Sequence, residues 1–203
     1  MYLEQEGMKC WMRFFRDNGT LPSFVGTGDS KSDGFASYLR SDLNTGTGLN
    51  WINYIRQLSG SSVASYLSAI ETTLINIPIN VSFILLTLGT NDLALGLPAE
   101  ATWKANFRLI IERLHTQCPN AKIGINKPVY LQAAPPSTPV AETSTLNTWM
   151  DSVVAEYAYC FIGVDETDLE NSDGYLTYFT DRAHQTAAGY DLVASLWQTA
   201  MGY

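Results

Sequence analysis

Apolar residues fall in two kinds of run along this chain. Val81 to Leu88 is almost continuously apolar, broken only by Ser82 and Thr87. A run that short and that apolar suits a parallel strand buried on both faces. Phe24-Val25-Gly26-Thr27-Gly28, Trp51 to Leu58, Ala121 to Val129 and Cys160 to Val164 predict four further strands. Between them the spacing becomes helical. Val63, Leu67, Ile70 and Leu74 predict a helix over Val63 to Ile75. Leu146, Met150, Val153 and Val154 share one face of a helix over Thr143 to Tyr157. Pro98 to Cys118 predicts a long helix with Pro98 near its first turn. Asp33 can cap a helix running to Leu43, with Asn44 to Gly48 as loop. Ala183 to Met201 closes the chain as a helix. Residues 2–18 predict a short helix ended by Asn18-Gly19, so that residues 1–22 form an extension packed on the rest.

Strands alternating with helices imply right-handed crossovers and a parallel sheet covered on both faces. The expected fold is a three-layer α/β/α sandwich around a central, mostly parallel five-stranded sheet of flavodoxin-like type. No internal repeat or linker divides the chain, which reads as one domain over residues 1–203. Ligands on such sheets bind at the carboxyl ends of the strands. Ser30, Gly60 and Asn91 each follow a predicted strand, so one sheet edge gathers all three.

The chain carries a net charge of −8, which argues against nucleic acid or an anionic membrane surface as the main partner. No run approaches the ~20 apolar residues of a membrane span. The first residues, Met-Tyr-Leu-Glu-Gln-Glu-Gly, lack the pattern of a signal peptide. The location expected is cytoplasmic if Met1 is the native start, and secreted or periplasmic if a signal has been removed. Cys10, Cys118 and Cys160 match no metal-site or redox-pair spacing and read as reduced, mostly buried thiols.

The chain has only two histidines, His115 and His184. A hydroxyl is a poor nucleophile near neutrality without a base, and histidine is the usual base. His115 sits near the end of the 98–118 helix, where a cation favours the helix dipole, and reads as structural. His184 lies three residues after Asp181, a spacing at a helix start that could let the carboxylate fix the imidazole tautomer. The blander reading is a capping aspartate beside an exposed histidine. Gly28-Asp29-Ser30 forms a turn that can lift Ser30 above the sheet, although a serine there could merely cap the next helix. Asn91, in Gly89-Thr90-Asn91-Asp92, is a neutral amide donor suited to a developing negative charge, or else a turn residue. Gly60 offers an unshielded backbone N–H. Gly46 or Gly48 would compete for that role if the strand at 51–58 were misplaced.

Taken together, in this order, the motifs resemble the SGNH hydrolase superfamily, the GDSL esterases and lipases, from Phe24 to the end. Gly28-Asp29-Ser30, with Gly34 after it, looks like the first sequence block of that family. Ser59-Gly60 looks like the second and Gly89-Thr-Asn91-Asp92 the third. Asp181-Arg-Ala-His184 looks like the fifth. Lys31 departs from the usual apolar residue after the serine, and Gln185 stands where a proline commonly follows the histidine.

The resemblance implies acyl-ester hydrolysis through an acyl-enzyme. Ser30 is the expected nucleophile, His184 the base, Asp181 its partner, and Ser30 N–H, Gly60 N–H and Asn91 the oxyanion donors. No metal or organic cofactor is expected. The expected substrate is a short acyl ester, with O-acetyl groups on carbohydrate leading; a lysophospholipase or thioesterase is the alternative. Trp51 and Trp103 could form a sugar platform, although packing is the commoner role for such residues. A dinuclear metallophosphoesterase ranks low with so few histidines. A non-catalytic flavodoxin-like binding module would leave Asn91 and the Asp181–His184 pair unexplained. A silent carbohydrate-binding relative would have no need of the full set of reactive groups. Monomer is the default state. The loops at 44–50 and 131–142 are expected to border the site.

Overall fold

The computed structural model describes residues 22–74, 77–170 and 172–203. The predicted N-terminal helix therefore lies outside the described residues, as does most of the predicted extension. Five strands form one sheet: β1 (Ser23–Gly28), β2 (Ile52–Gln57), β3 (Phe83–Thr87), β4 (Lys122–Lys127) and β5 (Cys160–Asp165). Their order is β2-β1-β3-β4-β5, and every pairing is parallel. The helices are α1 (Lys31–Thr47), α2 (Val63–Ser68), α3 (Ile70–Leu74), α4 (Thr90–Leu95), α5 (Glu100–Gln117), α6 (Glu142–Val154) and α7 (Ala187–Met201). A short 3₁₀ turn, Glu166–Leu169, follows β5.

The sheet separates two apolar cores, and the two-residue period of the strands assigns side chains to each. In β3, Ile84 and Leu86 face the layer that includes Phe107, Ile110, Leu114 and Met150 from α5 and α6. Phe83 and Leu85 face the layer of Phe35, Leu39, Val193 and Trp197 from α1 and α7. Every residue of β3 is buried, as its near-continuous apolar run requires. Trp51 packs against Phe24, Phe83 and Tyr203, and Trp103 stacks on Phe107 with ring centroids 4.7 Å apart. Both tryptophans are buried, so neither forms a sugar platform.

Several boundaries differ from the sequence reading. α1 continues through Asn44 to Thr47 and ends at Gly48, whose N–H returns to the Asn44 carbonyl in a left-handed cap. Asn44 also accepts the Trp51 N–H, so these polar residues terminate a helix rather than form a loop. The 44–50 segment consequently lies at the amino edge of the sheet, opposite Ser30. The 63–75 helix is two short helices that break at Ala69. α4, directly after Gly89, is an additional short helix. α7 begins only at Ala187, after Thr186 caps it by accepting the Gly189 N–H.

Cys118 and Cys160 are both free thiols. His115 stacks on Tyr159 with ring centroids 3.7 Å apart, in keeping with a structural role.

Candidate active site

Because all five strands run the same way, their carboxyl ends share one edge, and the loops leaving that edge carry the predicted residues. Ser30 follows β1 by a tight turn. Gly28 adopts φ +123°, and a Cβ there would sit 1.9 Å from the Thr87 carbonyl oxygen on β3. Only glycine lets β1 pass β3 so closely. Asp29 then anchors the turn: its N–H donates to the Thr87 carbonyl at 2.7 Å, and its carboxylate accepts the Lys31 N–H at 3.0 Å. The Ser32 hydroxyl donates back to the Asp29 carbonyl at 3.0 Å. Burial pushes the Asp29 carboxyl up to about 6, against the opposing pull of Lys31 and its N–H. Ser30 makes no side-chain cap for α1, which leaves its hydroxyl free for another partner.

That partner is His184. Ser30 Oγ lies 3.1 Å from His184 Nε2, although 154 residues separate them in sequence. Asp181 Oδ2 lies 2.9 Å from His184 Nδ1. The carboxylate can only accept, so Nδ1 carries the proton in the neutral ring, leaving the Nε2 lone pair for the Ser30 hydroxyl. Asp181 and His184 sit in a turn before α7, not on the helix as their spacing suggested. Asp181 Oδ1 accepts the Ala183 and His184 N–H groups, both at 2.7 Å. Partial desolvation raises the Asp181 pKa, but the two N–H bonds and the imidazole outweigh it and hold the carboxyl below its ordinary value. The turn is pinned further by Thr180, whose N–H and hydroxyl both donate to the His184 carbonyl. Asp181 and His184 are both solvent-exposed, so the centre is open.

Asn91 lies in the first turn of α4. Its Nδ2 donates to the Ser61 carbonyl at 3.1 Å, joining it to the loop that carries Gly60. Asp92 accepts the Val63 N–H at 3.0 Å and ties α4 to the start of α2, directly after that loop. Gly60 has φ +75°, the left-handed region that favours glycine. Among the described residues, nothing accepts the Ser30 or Gly60 N–H. An amide NH₂ has two donors, and only one of Asn91's is engaged at Ser61. Gly46 lies inside α1 and Gly48 caps it, at the opposite edge.

The 131–142 loop does border the site. Leu131 N–H donates to the Arg182 carbonyl at 2.9 Å, and Arg182 Nε returns to the Leu131 carbonyl at 2.8 Å. Beneath the surface lies a residue the sequence reading missed. Glu166, just past β5, is fully buried and paired with Lys31 at 2.5 Å. No motif marks it; the one available signal was a lysine next to the serine that would need a buried counter-ion. Among the described residues, no group of three or more His, Cys, Asp or Glu could hold a metal ion.

A hydroxyl, an imidazole and a carboxylate in series on the carboxyl edge of a parallel α/β sheet can deliver an activated alkoxide to an ester carbonyl. The sequence model of the GDSL-like lipase/acylhydrolase family matches residues 23–192, and the chain belongs to that family. It is accordingly a carboxylic ester hydrolase. No curated protein sequence matches it significantly. Solved structures share its fold. A candidate GDSL-like lipase from Parabacteroides merdae superimposes with a TM-score of 0.71 at 16% identity, covering 89% of this chain and 95% of its own. Axe2, an acetylxylan esterase from Geobacillus stearothermophilus, gives 0.69 at 13% identity, covering 90% and 94%. The acetyl xylan esterase AlAXEase gives 0.68 at 15% identity, covering 89% and 99%.

Proposed function

We propose that this chain is a serine esterase for short acyl esters, with O-acetyl groups on carbohydrate as the leading substrate class. The observation that carries the mechanism is the continuous contact from Ser30 Oγ to His184 Nε2 and from His184 Nδ1 to Asp181. Ser30 Oγ attacks the ester carbonyl as His184 Nε2 takes its proton. The oxyanion forms against the Ser30 and Gly60 N–H groups and the free Asn91 amide hydrogen. His184 then protonates the departing alcohol, leaving an acyl group on Ser30. Water, deprotonated by His184, releases the acid and restores the serine. Asp181 stabilises the imidazolium formed in each half-reaction.

The substrate class rests on different support. The fold resembles two acetyl xylan esterases, and the open catalytic turn suits a bulky alcohol side. One observation favours a lipid-like acyl chain instead: Leu95, at the end of the helix carrying Asn91, is 78% exposed. Acetate release from acetylated xylan, set against p-nitrophenyl esters of rising chain length, tests the choice. Turnover of acetylated xylan with a fall beyond butyrate supports the proposal. A steady rise to long chains replaces it with the lipid reading.

A further inference from the structure

Ser30 and His184 come from distant parts of the chain, yet the residue directly after each is bound to one carboxylate. Lys31 Nζ donates to Glu166 Oε2 at 2.5 Å. Gln185 Nε2 donates to Glu166 Oε1 at 3.0 Å. Two more donors come from β4 and the loop after it: Asn126 Nδ2 to Oε1 and the Val129 N–H to Oε2, both at 3.0 Å. Lys31 Nζ also donates to the Val129 carbonyl at 3.3 Å.

Resting on the reading of Ser30 and His184 given above, we propose that Glu166 is a positioning residue for the ester-hydrolysing centre. It fixes the Ser30–His184 separation by holding Lys31 and Gln185 at the same time. A carboxylate offers about four acceptor sites, and here four donors fill them, two on each oxygen. Glu166, Lys31, Asn126, Val129 and Gln185 are all buried, so water does not compete for these bonds. The donors are directed. The side-chain carbonyl oxygens of Asn126 and Gln185 are buried and find no partner among the described residues, so each amide is oriented by the carboxylate alone. A buried ion pair contributes little net stability compared with apolar packing of the same volume. Its effect here is geometric: it joins the nucleophile's turn, the base's turn and the ends of β4 and β5 at one point. The hydrogen bonds of Glu166 run to Lys31, Asn126, Val129 and Gln185 and not to Ser30, His184 or Asp181, so it acts through Lys31 and Gln185.

The test compares wild type, Gln185→Met, the charge-balanced double variant Lys31→Met/Glu166→Gln, and Ser30→Ala, all on p-nitrophenyl acetate with thermal melts in parallel. Gln185→Met keeps the volume but cannot donate. Small misplacement of reacting groups reduces turnover steeply, so kcat should fall roughly ten- to hundred-fold in Gln185→Met and in the double variant, with KM within about twofold and the folded fraction unchanged at assay temperature. A kcat within about twofold of wild type in either folded variant overturns the proposal. So does a rise in KM alone, which would assign the network to substrate binding, or a kcat loss that merely tracks unfolded protein. Failure of both variants to fold makes the network a folding element and also overturns it. Ser30→Ala separates the two layers. Its inactivity with unimpaired network variants sinks only the role of Glu166, whereas residual wild-type turnover sinks the reading of Ser30 and this role with it.

Discussion

Asp181 holds His184 from two sides: one carboxylate oxygen lies 2.9 Å from the ring Nδ1, and the other accepts the His184 backbone N–H at 2.7 Å. The same carboxylate thus fixes both tautomer and ring placement. Asp181→Asn replaces an acceptor with a group that can donate to Nδ1, which favours the tautomer with Nε2 protonated. Turnover should fall roughly 10²- to 10⁴-fold with little change in melting temperature. Steady-state kinetics beside a thermal melt checks it; a variant within a few-fold of wild type would remove Asp181 from the mechanism.

Asn91 should matter to turnover more than to binding. Losing one oxyanion donor typically lowers kcat by ~10²–10³-fold. Asn91→Ala also loses its bond to Ser61, but Asp92 still holds the loop through the Val63 N–H. The expected signature is a large drop in kcat with a small change in KM. A KM effect alone would place Asn91 in substrate binding.

The buried Asp29 gives stability a pH dependence of defined sign. Its carboxyl is raised from 3.8 to about 6, chiefly by burial. Between those values the folded state binds more protons than the unfolded one, so this group lowers stability as pH rises through that window. The penalty is absent below it, complete above it, and of order 3 kcal/mol. Asp29→Asn cannot ionise. Its stability relative to wild type should therefore be more favourable at about pH 8 than at about pH 4. Urea unfolding at both pH values reads this difference; an equal gap at both would show that Asp29 is not held up by burial.

Two glycines should behave differently on substitution. Gly28→Ala drives a Cβ into the β3 backbone at 1.9 Å, where no side chain can yield, and soluble folded protein is not expected. Gly60→Ala meets nothing within 4 Å, so only its left-handed backbone is strained. That should cost about 1–2 kcal/mol and leave a folded protein with a lower melting temperature. Comparable melts for the two variants would contradict the packing of β1 on β3.

Most of the architecture was legible in the chain because buried parallel strands write short apolar runs and their covering helices write a longer period. Ser30, Gly60 and Asn91 were legible as candidates because each sits in a short turn soon after a strand, and His184 because it lies three residues after Asp181, ahead of the last helix. What escaped detection depends on tertiary partners. Asn44 to Thr47 complete a helix because Gly48 caps it onto the Asn44 carbonyl and Trp51 donates to the Asn44 side chain. The 63–75 pattern is helical throughout, yet the chain breaks at Ala69. Glu166 has no local signature, since its four donors come from three separate stretches of the chain, around Lys31, Asn126 to Val129, and Gln185. Lys31 and Gln185 stood out only as departures from a family pattern until that carboxylate explained both.

The most direct measurement is hydrolysis of p-nitrophenyl acetate, butyrate and octanoate by wild type and by Ser30→Ala, without added metal. Turnover by wild type, strongest on the short esters and abolished in Ser30→Ala, is the expected result. Equal turnover by both proteins would mean that Ser30 is not the nucleophile, whatever its distance from His184.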